Sequence, residues 1–496
     1  MKHIFFRLLF ILCCQITLAQ FSTPSSTASF VTKAQVGAAA MPNDIAPVIA
    51  PFEMPQFKKH VFPAYVVSVV KFGATAYKNI TKNIQTAIDN ANKNGGGTVI
   101  VPKGIWTTGR IALKSNVNLH LEEGAELHFS GEIADFLPAV FTRVEGIEIM
   151  SSGGFIYAYN AENIAITGKG KIIGPDMDAP IRTAESPKEV VEISIDQNAP
   201  VKERIYDGDK GRYFYKPKSI CLVACKNVLI EGITIERSVT WNVTPIYCDG
   251  VIIRGITVNS VGIPTGDGID IESSRNVLIE YSTLNNGDDC FTMKAGRDKD
   301  GIRVDRPTEN VVVRYCLSEA GHGAITTGSE TAGWIRNIYL HDCIFDGTDR
   351  GFRFKTRRPR GGGVENIYYE RVQMNINKHA LEWDLLGSKR YVGELAERLP
   401  KLPINELTPV IRNIFMRDVQ ITTNNRFINA KCIPEIPLTN VIMEHMDVTC
   451  SEPILLRDVK DFTIRNSIIR SKIQNMEIID AQNLVFDHVE FLYLEN

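Results

Sequence analysis

The chain has 496 residues, 44% of them hydrophobic and 23% charged, a balance that excludes a largely disordered or collagen-like protein. Fifty-five Lys and Arg stand against 57 Asp and Glu, for a net charge of −2. No global field therefore favours nucleic acid, and any anionic ligand has to be met by a local patch.

Lys2, His3 and Arg7 bracket an apolar run from Ile4 to Cys14, which ends in Thr17-Leu18-Ala19-Gln20. This is the pattern of a secretory signal peptide over 1–19, cleaved after Ala19. The run is too short to span a bilayer, and Leu12 is too bulky for a lipid-attachment site at Cys13. The expectation is an exported, periplasmic or extracellular monomer without a membrane span. Residues 20–60 are rich in Ser, Thr, Ala and Pro without periodicity, and read as a tether or loosely packed arm. Residues 61–496 read as one domain. It opens with a helix from Ile80 to Lys93, whose Ile84, Ala87, Ile88 and Ala91 share one face. Gly95-Gly96-Gly97 ends it.

The remainder repeats. Short β-branched runs follow an Asn at Asn163, Asn227, Asn276, Asn310, Asn337, Asn366, Asn413, Asn440 and Asn483, with Gly250 and Asp461 in the equivalent place of two more copies. Most starts lie 21 to 34 residues apart. Strands at that period without helices predict an all-β fold, a parallel β-helix closed by the N-terminal helix. A β-sandwich is the alternative, but it does not account for the recurrent Asn, which can form a side-chain ladder between coils. Residues 175–218, 294–309 and 378–409 are insertions expected to leave one edge of the coils and wall a groove. Eight cysteines follow the leader, from Cys221 to Cys450. Their spread in strand-like runs favours buried thiols over a disulfide framework. No metal-binding Cys pair occurs, and no metal or cofactor is expected.

Counting from the repeat starts, Asp288 and His322 share an offset of twelve residues on adjacent coils. Aligned on the following apolar residue, Asp267, Asp288, His322 and Arg350 fall in one predicted column. Alternation places Arg353 and Lys355 outward if Phe352 and Phe354 face in, with Asp270 matching Arg353. Carboxylates at Asp267, Asp288 and Asp289 then share a patch roughly 15 Å long with a His and a basic pair. Singly, each residue has a bland explanation, in turn chemistry or a solvated face. Together they suit glycoside hydrolysis, in which one carboxylic acid protonates the leaving oxygen and a carboxylate activates water. The basic pair suits the carboxylate of an acidic sugar.

These blocks, Thr265-Gly266-Asp267, Gly287-Asp288-Asp289, Gly321-His322-Gly323 and Arg353-Phe354-Lys355, resemble the ordered motifs of the polygalacturonases of glycoside hydrolase family 28. The likeness is good from about Val66 to Glu370. It implies a single-stranded, right-handed parallel β-helix and an inverting hydrolase of galacturonan in pectin. In that analogy Asp288 is the general acid, Asp267 and Asp289 hold and deprotonate the water, and His322 tunes the acid. Arg353 and Lys355 bind substrate, together with Arg350, Lys294 and Asp270. Inversion predicts acid and base carboxylates about 6.5–9.5 Å apart. Thr265 and Gly266 depart from the family's Asn-Thr, removing an amide near the bond to be cut. The stretches at Lys294 to Asp298, Gly328-Ser329-Glu330 and Thr348 to Gly351 resemble bacterial exo-acting members, which implies end-wise cutting. The alternatives are a hydrolase of rhamnogalacturonan or another branched pectin, a pectate-lyase-like lyase, and a carbohydrate-binding β-helix without turnover.

Overall fold

The computed structural model describes residues 28–184, 186, 187 and 190–494. The leader at 1–19 lies outside the described residues.

The chain winds into a parallel β-helix in which each strand pairs in register with the strand one coil before and one coil after it. Three faces result. One carries Val117–Leu121, Glu162–Gly168, Lys226–Glu231, Asp249–Arg254, Arg275–Glu280 and Thr308–Arg314. A second carries Ala125–Phe129, Lys171–Ile173, Thr234–Glu236, Thr257–Asn259 and Thr283–Asn285. The third bears the chemistry: Gly154–Tyr159, Lys218–Val223, Val243–Ile246, Ile269–Glu272, Phe291–Lys294, Ile325–Gly328, Phe352–Lys355, Leu381–Asp384 and Arg426–Lys431. Alternation buries every second side chain, so apolar residues stack on like residues. Ile269, Phe291, Ile325, Phe352, Leu381, Ile428 and Ile454 form one such buried column.

The repeated Asn is the corner of each coil. Asn163, Asn227, Asn276, Asn310, Asn337, Asn366, Asn413 and Asn440 all have positive φ between 52° and 62°, a conformation Asn tolerates better than β-branched residues do. Their amides donate along the stack, as from Asn337 to Asn310 at 3.0 Å and Asn366 to Asn337 at 3.1 Å. Where the corner is Gly250, the neighbouring Asp249 accepts from Asn276 at 2.7 Å in place of a corner amide. The predicted helix spans Thr81–Lys93 and caps the first coil with Ile84, Ala87, Ile88 and Ala91 buried. All eight described cysteines are buried and unbridged.

Two features differ from the sequence reading. Residues after Gly37, expected to be a loose arm, lie along the first face. Ile45, Val48, Phe52, Phe57 and Phe62 pack on an outward apolar column of Ala165, Leu229, Ile252, Leu278, Val312 and Tyr339. The arm has no sheet partner for its carbonyls, and two buried arginines supply the donors. Arg254 bonds the carbonyls of Pro42, Asn43 and Asp44, and Arg314 those of Ala46 and Pro47. Both guanidiniums are anchored by the fully buried Glu280, at 2.8 and 2.9 Å. The second difference is an antiparallel hairpin, Val140–Val144 with Ile147–Ser151, inserted ahead of the third-face strand Gly154–Tyr159.

Candidate functional site

Strand register decides which side chains meet. Ile269, Phe291, Ile325 and Phe352 are direct partners on successive coils. Two residues earlier stand Asp267, Asp289, Gly323 and Arg350. Three residues earlier stand Asp288, His322 and Asp349. The single column expected of Asp267, Asp288, His322 and Arg350 is therefore two columns one residue apart. Alignment on the first apolar residue mixed them, because Cys290 and Ala324 each stand one position before Phe291 and Ile325, the true register partners of Ile269 and Phe352. The backbone confirms the register, with His322 N–H donating to Asp288 O at 2.9 Å and Gly268 N–H to Asp289 O at 2.9 Å. Gly323 is required in its place: a Cβ there would lie 2.5 Å from Thr326 Oγ1 and 2.8 Å from Asp289 Oδ1.

The three carboxylates converge as predicted. One oxygen from each of Asp267, Asp288 and Asp289 lies within 4.8 Å of the others. These nearest oxygens stand closer than the ~6.5–9.5 Å expected between acid and base carboxyl groups. Asp288 and Asp289 are adjacent in one strand approach and Asp267 is one interstrand step away, so the backbone spacing sets the short separation. Their surroundings differ. Asp289 is fully buried, with Arg353 Nη1 at 3.4 Å and Lys355 Nζ at 3.5 Å. Burial alone would raise its pKa, but Lys355, Arg353 and Lys294 outweigh it and hold the group well below the usual carboxylate range. Asp267 is pushed far upward by burial and then by the neighbouring charges of Asp270, Asp288 and Asp289, with Lys294 opposing. Asp288 keeps 22% of its side chain exposed and faces the groove. His322 Nδ1 lies 3.5 Å from Asp288, and its Nε2 lies 3.6 Å from Asp349. One member of the cluster is thus held ionised, one favours its proton, and the exposed one can reach a substrate. Carboxylates this close can also share a cation, but Lys294, Arg353 and Lys355 already place positive charge within 4 Å of them.

Arg353 and Lys355 project outward from Phe352–Lys355 while Phe352 and Phe354 fill the core, as alternation predicted. Arg350 reaches Glu382 at 3.3 Å and the His322 carbonyl at 3.4 Å, bracing the His322 loop. Lys294 and Asp270, expected among the substrate-binding residues, are buried instead. Lys294 lies 3.9 Å from Asp267, 3.8 Å from Asp270 and 3.4 Å from Glu330. Asp270 has no exposed surface, takes a bond from Thr292 and is pushed up to about 7, by burial first. Strand alternation put them on the right face, but they lie beneath the groove floor and set its charge.

Sequence reasoning missed one end of the site. Register extends the Asp267 column backwards to Trp241 and Lys218, because Val243 pairs with Ile269 and Ile220 with Val243. Trp241 thus lies one coil from Asp267, with the Lys294 ammonium 4.5 Å over its ring and that of Lys218 at 5.5 Å. The period would have found both residues had the column been continued past the aspartates. Beyond them the hairpin 140–151 lies across the sheet. Its Phe141 carbonyl accepts from Tyr157 at 2.9 Å, its Arg143 carbonyl accepts from Lys218 at 2.6 Å, and Thr142 touches Cys221. Gly146, at the tip with φ +84°, approaches so closely that a Cβ would fall 2.7 Å from Glu330 Cγ. The hairpin starts beside Gly153 at the leading edge of the sheet and its tip reaches residues after Lys294 at the trailing edge, so it bars the groove at Lys218, two coils from Asp267 with the Trp241 coil between.

The family model for glycosyl hydrolases family 28 matches residues 207–455, half of the chain and the whole of this cluster. The chain belongs to that family. It is therefore a glycoside hydrolase on a right-handed parallel β-helix. It is 28% identical over 397 residues to a probable polygalacturonase of Vitis vinifera, covering 78% of this chain and 74% of that protein. It is 24% identical over 426 residues to an exo-poly-alpha-D-galacturonosidase of Dickeya chrysanthemi, covering 81% and 70%. The crystal structure of a hyperthermoactive exopolygalacturonase from Thermotoga maritima superposes with a TM-score of 0.68 at 28% identity, over 87% of this chain and 93% of that one.

Proposed function

We propose that this glycoside hydrolase removes galacturonate from the end of pectic galacturonan chains, cutting α-1,4 bonds by acid/base catalysis. The observation that carries this reading is one constellation: three aspartates beside an outward Arg353/Lys355 pair, in a groove barred at Lys218 with one free coil, that of Trp241, between the bar and Asp267. The basic pair suits a uronate on the open side of the bond. The bar leaves room for about one sugar on the other side, since one coil spans about 4.8 Å and a sugar residue is of similar length.

In the reaction Asp288, the exposed carboxyl, gives its proton to the glycosidic oxygen as the bond to the anomeric carbon breaks. A water attacks that carbon and yields its proton to Asp289, which Lys355 and Arg353 keep ionised. Asp267 and Asp289 hold the water between them. The proton that burial keeps on Asp267 in the empty groove replenishes Asp288, and the one taken from water replaces it, so the cluster returns to its starting charge. His322 stands between Asp288 and Asp349, at 3.5 and 3.6 Å, and braces the Asp288 carboxylate at the edge of the groove. Asp289 is engaged by Arg353 and Lys355, which suits it to hold a water rather than to attack the anomeric carbon itself. That favours direct attack by water, with inversion, despite the short carboxylate spacing.

The test is a product profile. The wild-type enzyme should release galacturonate monomer from trimer, hexamer and polymer with slow loss of viscosity, and proton NMR of the first product should show the β anomer. Rapid viscosity loss with mixed large oligomers would overturn end-wise action. Cleavage confined to rhamnose-containing pectin would move the substrate to the branched class. We also propose that the chain is exported, on the strength of Lys2, His3, Arg7 and the apolar run behind them; N-terminal sequencing of the secreted or periplasmic protein should begin at Gln20.

A further inference from the structure

The groove bar is built from four separate stretches of chain, and one carboxylate ties them together. The hairpin tip supplies Glu145. The first insertion supplies Glu192, on the short helix Val191–Ser194. The second supplies Arg297 and Asp298. The loop after the Arg353/Lys355 strand supplies Arg357 and Arg360. Glu192 accepts from Arg297 Nη1 at 2.5 Å, Arg357 Nη2 at 2.6 Å and Arg360 Nη2 at 3.1 Å. Arg297 also bonds Glu145 at 2.7 Å and Glu330 at 3.0 Å, and Arg360 bonds Asp298 at 2.9 Å. Arg357 lies over the ring of Tyr391, which belongs to the third insertion, at 4.7 Å.

The path of the first insertion gives this contact its meaning. The insertion leaves the coil after Ile173 and rejoins at Lys218, both on the leading side of the catalytic face. There Arg182 is bound to the carbonyls of Arg237 and Ser238. Glu192 nevertheless meets residues that follow Lys294 and Lys355, at the trailing side. The insertion therefore crosses the face of the sheet, and Glu192 is where it fastens. The fastening connects to the chemistry through buried ions: Glu330 joins Arg297 to Lys294, and Lys294 lies 3.9 Å from Asp267. Three guanidiniums gathered on one carboxylate repel one another when that charge is removed.

We infer that Glu192 is a positioning residue for end recognition: it latches the insertion across the groove and so sets how many sugars fit beyond Asp267. This rests on the end-wise reading above. Glu192 touches no reacting atom, and its loss should alter where the polymer is cut rather than how fast a seated bond breaks. The experiment compares wild type, Glu192→Gln and Glu192→Asp on galacturonate dimer, hexamer and polymer, with products resolved by anion-exchange chromatography. For Glu192→Gln, dimers and longer products should appear from hexamer and polymer. Its kcat/KM on polymer relative to dimer should rise by roughly tenfold, while kcat on dimer stays within about twofold. Glu192→Asp should restore monomer release in part. Because Glu192→Gln could loosen the fold generally, Glu145→Gln at the half-exposed hairpin tip is the second variant, and it should give the same product shift in weaker form. Monomer-only release by both variants, or a uniform fall in kcat on dimer and polymer alike, would overturn the latch. Mixed products from the wild type itself would instead overturn the end-wise reading on which the latch depends.

Discussion

The catalytic face and the arm-covered face are built on the same coils and solve opposite problems. On the arm face, the buried charges of Arg254, Arg314 and Glu280 are matched. Glu280 has no exposed surface, yet each of its oxygens is bonded to a guanidinium, and the remaining donors of Arg254 and Arg314 end on arm carbonyls and on Glu231. On the catalytic face, like charges are stacked one coil apart, and Asp270 Oδ2, Asp289 Oδ2 and both oxygens of Glu272 have no hydrogen-bond partner. Buried polar groups are ordinarily satisfied. The contrast teaches that one face contributes stability while the other holds groups in states they would not choose in water.

The largest expected effect breaks the catalytic face without touching the other. Asp288→Asn removes the proton donor and should lower kcat by about 10³-fold, within the usual range for a general acid, with KM and the thermal midpoint unchanged. Steady-state kinetics on galacturonate oligomers beside a melting curve would check it. An equal loss of activity and stability would mean that Asp288 is structural.

The next effect breaks the arm face. Arg254→Ala leaves Glu280 with Arg314 alone and frees the carbonyls of Pro42, Asn43 and Asp44. The cost should be about 3 kcal/mol, the low end for breaking a buried ion pair, because Arg314 remains at 2.7 Å. Limited proteolysis should then cut between Pro42 and Phe62, and product length should not change. An arm that stays protease-resistant would show that the apolar contacts of Ile45, Val48, Phe52 and Phe57 suffice without the guanidinium.

A smaller effect separates binding from chemistry. Lys355→Met should raise KM for galacturonan by about tenfold, the value of one charge-assisted contact. A substrate carrying a methyl ester on that sugar should bind both enzymes alike. If the variant loses kcat instead, the role of Lys355 is to hold Asp289 ionised rather than to grip the uronate.

The two faces also differ in how far the sequence revealed them. The coil period, the Asn corners and the cap at Thr81–Lys93 were legible because each repeats a local rule: apolar alternation, a corner residue that tolerates positive φ, a helical face. Asp288, Asp289, His322, Arg353 and Lys355 were legible for the same reason, since register carries a motif from one coil to the next. Asp267 and Arg350 fall one residue out of the column of Asp288 and His322, because Cys290 and Ala324 are apolar and precede the residues Phe291 and Ile325 that pair with Ile269 and Phe352. The hairpin 140–151 and the Glu192 cluster were not legible. Their contacts join positions up to 168 residues apart through insertions that obey no period. The arm was misread because Pro and Ser suggest a linker, and its buried partners are arginines, which sequence alone would place in solvent.

The smallest expected effect concerns Asp270, and it sharpens the contrast by pH. Its pKa is raised from 3.8 to about 7, by burial first, with the negative charges of Glu272 and Asp289 adding and Lys294 opposing. A carboxyl whose folded pKa lies above its unfolded value binds its proton more tightly when folded. Its contribution to stability is full below about pH 4 and is lost as pH rises towards 7. Asp270→Asn imitates the protonated form, so the variant and the wild type should melt together at pH 4, and the variant should melt higher at pH 8. The gain is set at about 1–2 kcal/mol, below what the full shift would imply, because the surroundings of a buried charge relax and admit water. Activity should move the other way: Lys294 would lean more on Asp267, lower its pKa and leave the cluster short of its proton near neutral pH. Melting curves and pH–rate profiles of the two proteins would check both halves. A variant that is no more stable at pH 8 would show that Asp270 is held ionised by Lys294, and that the charge stacked beneath the groove is satisfied rather than strained.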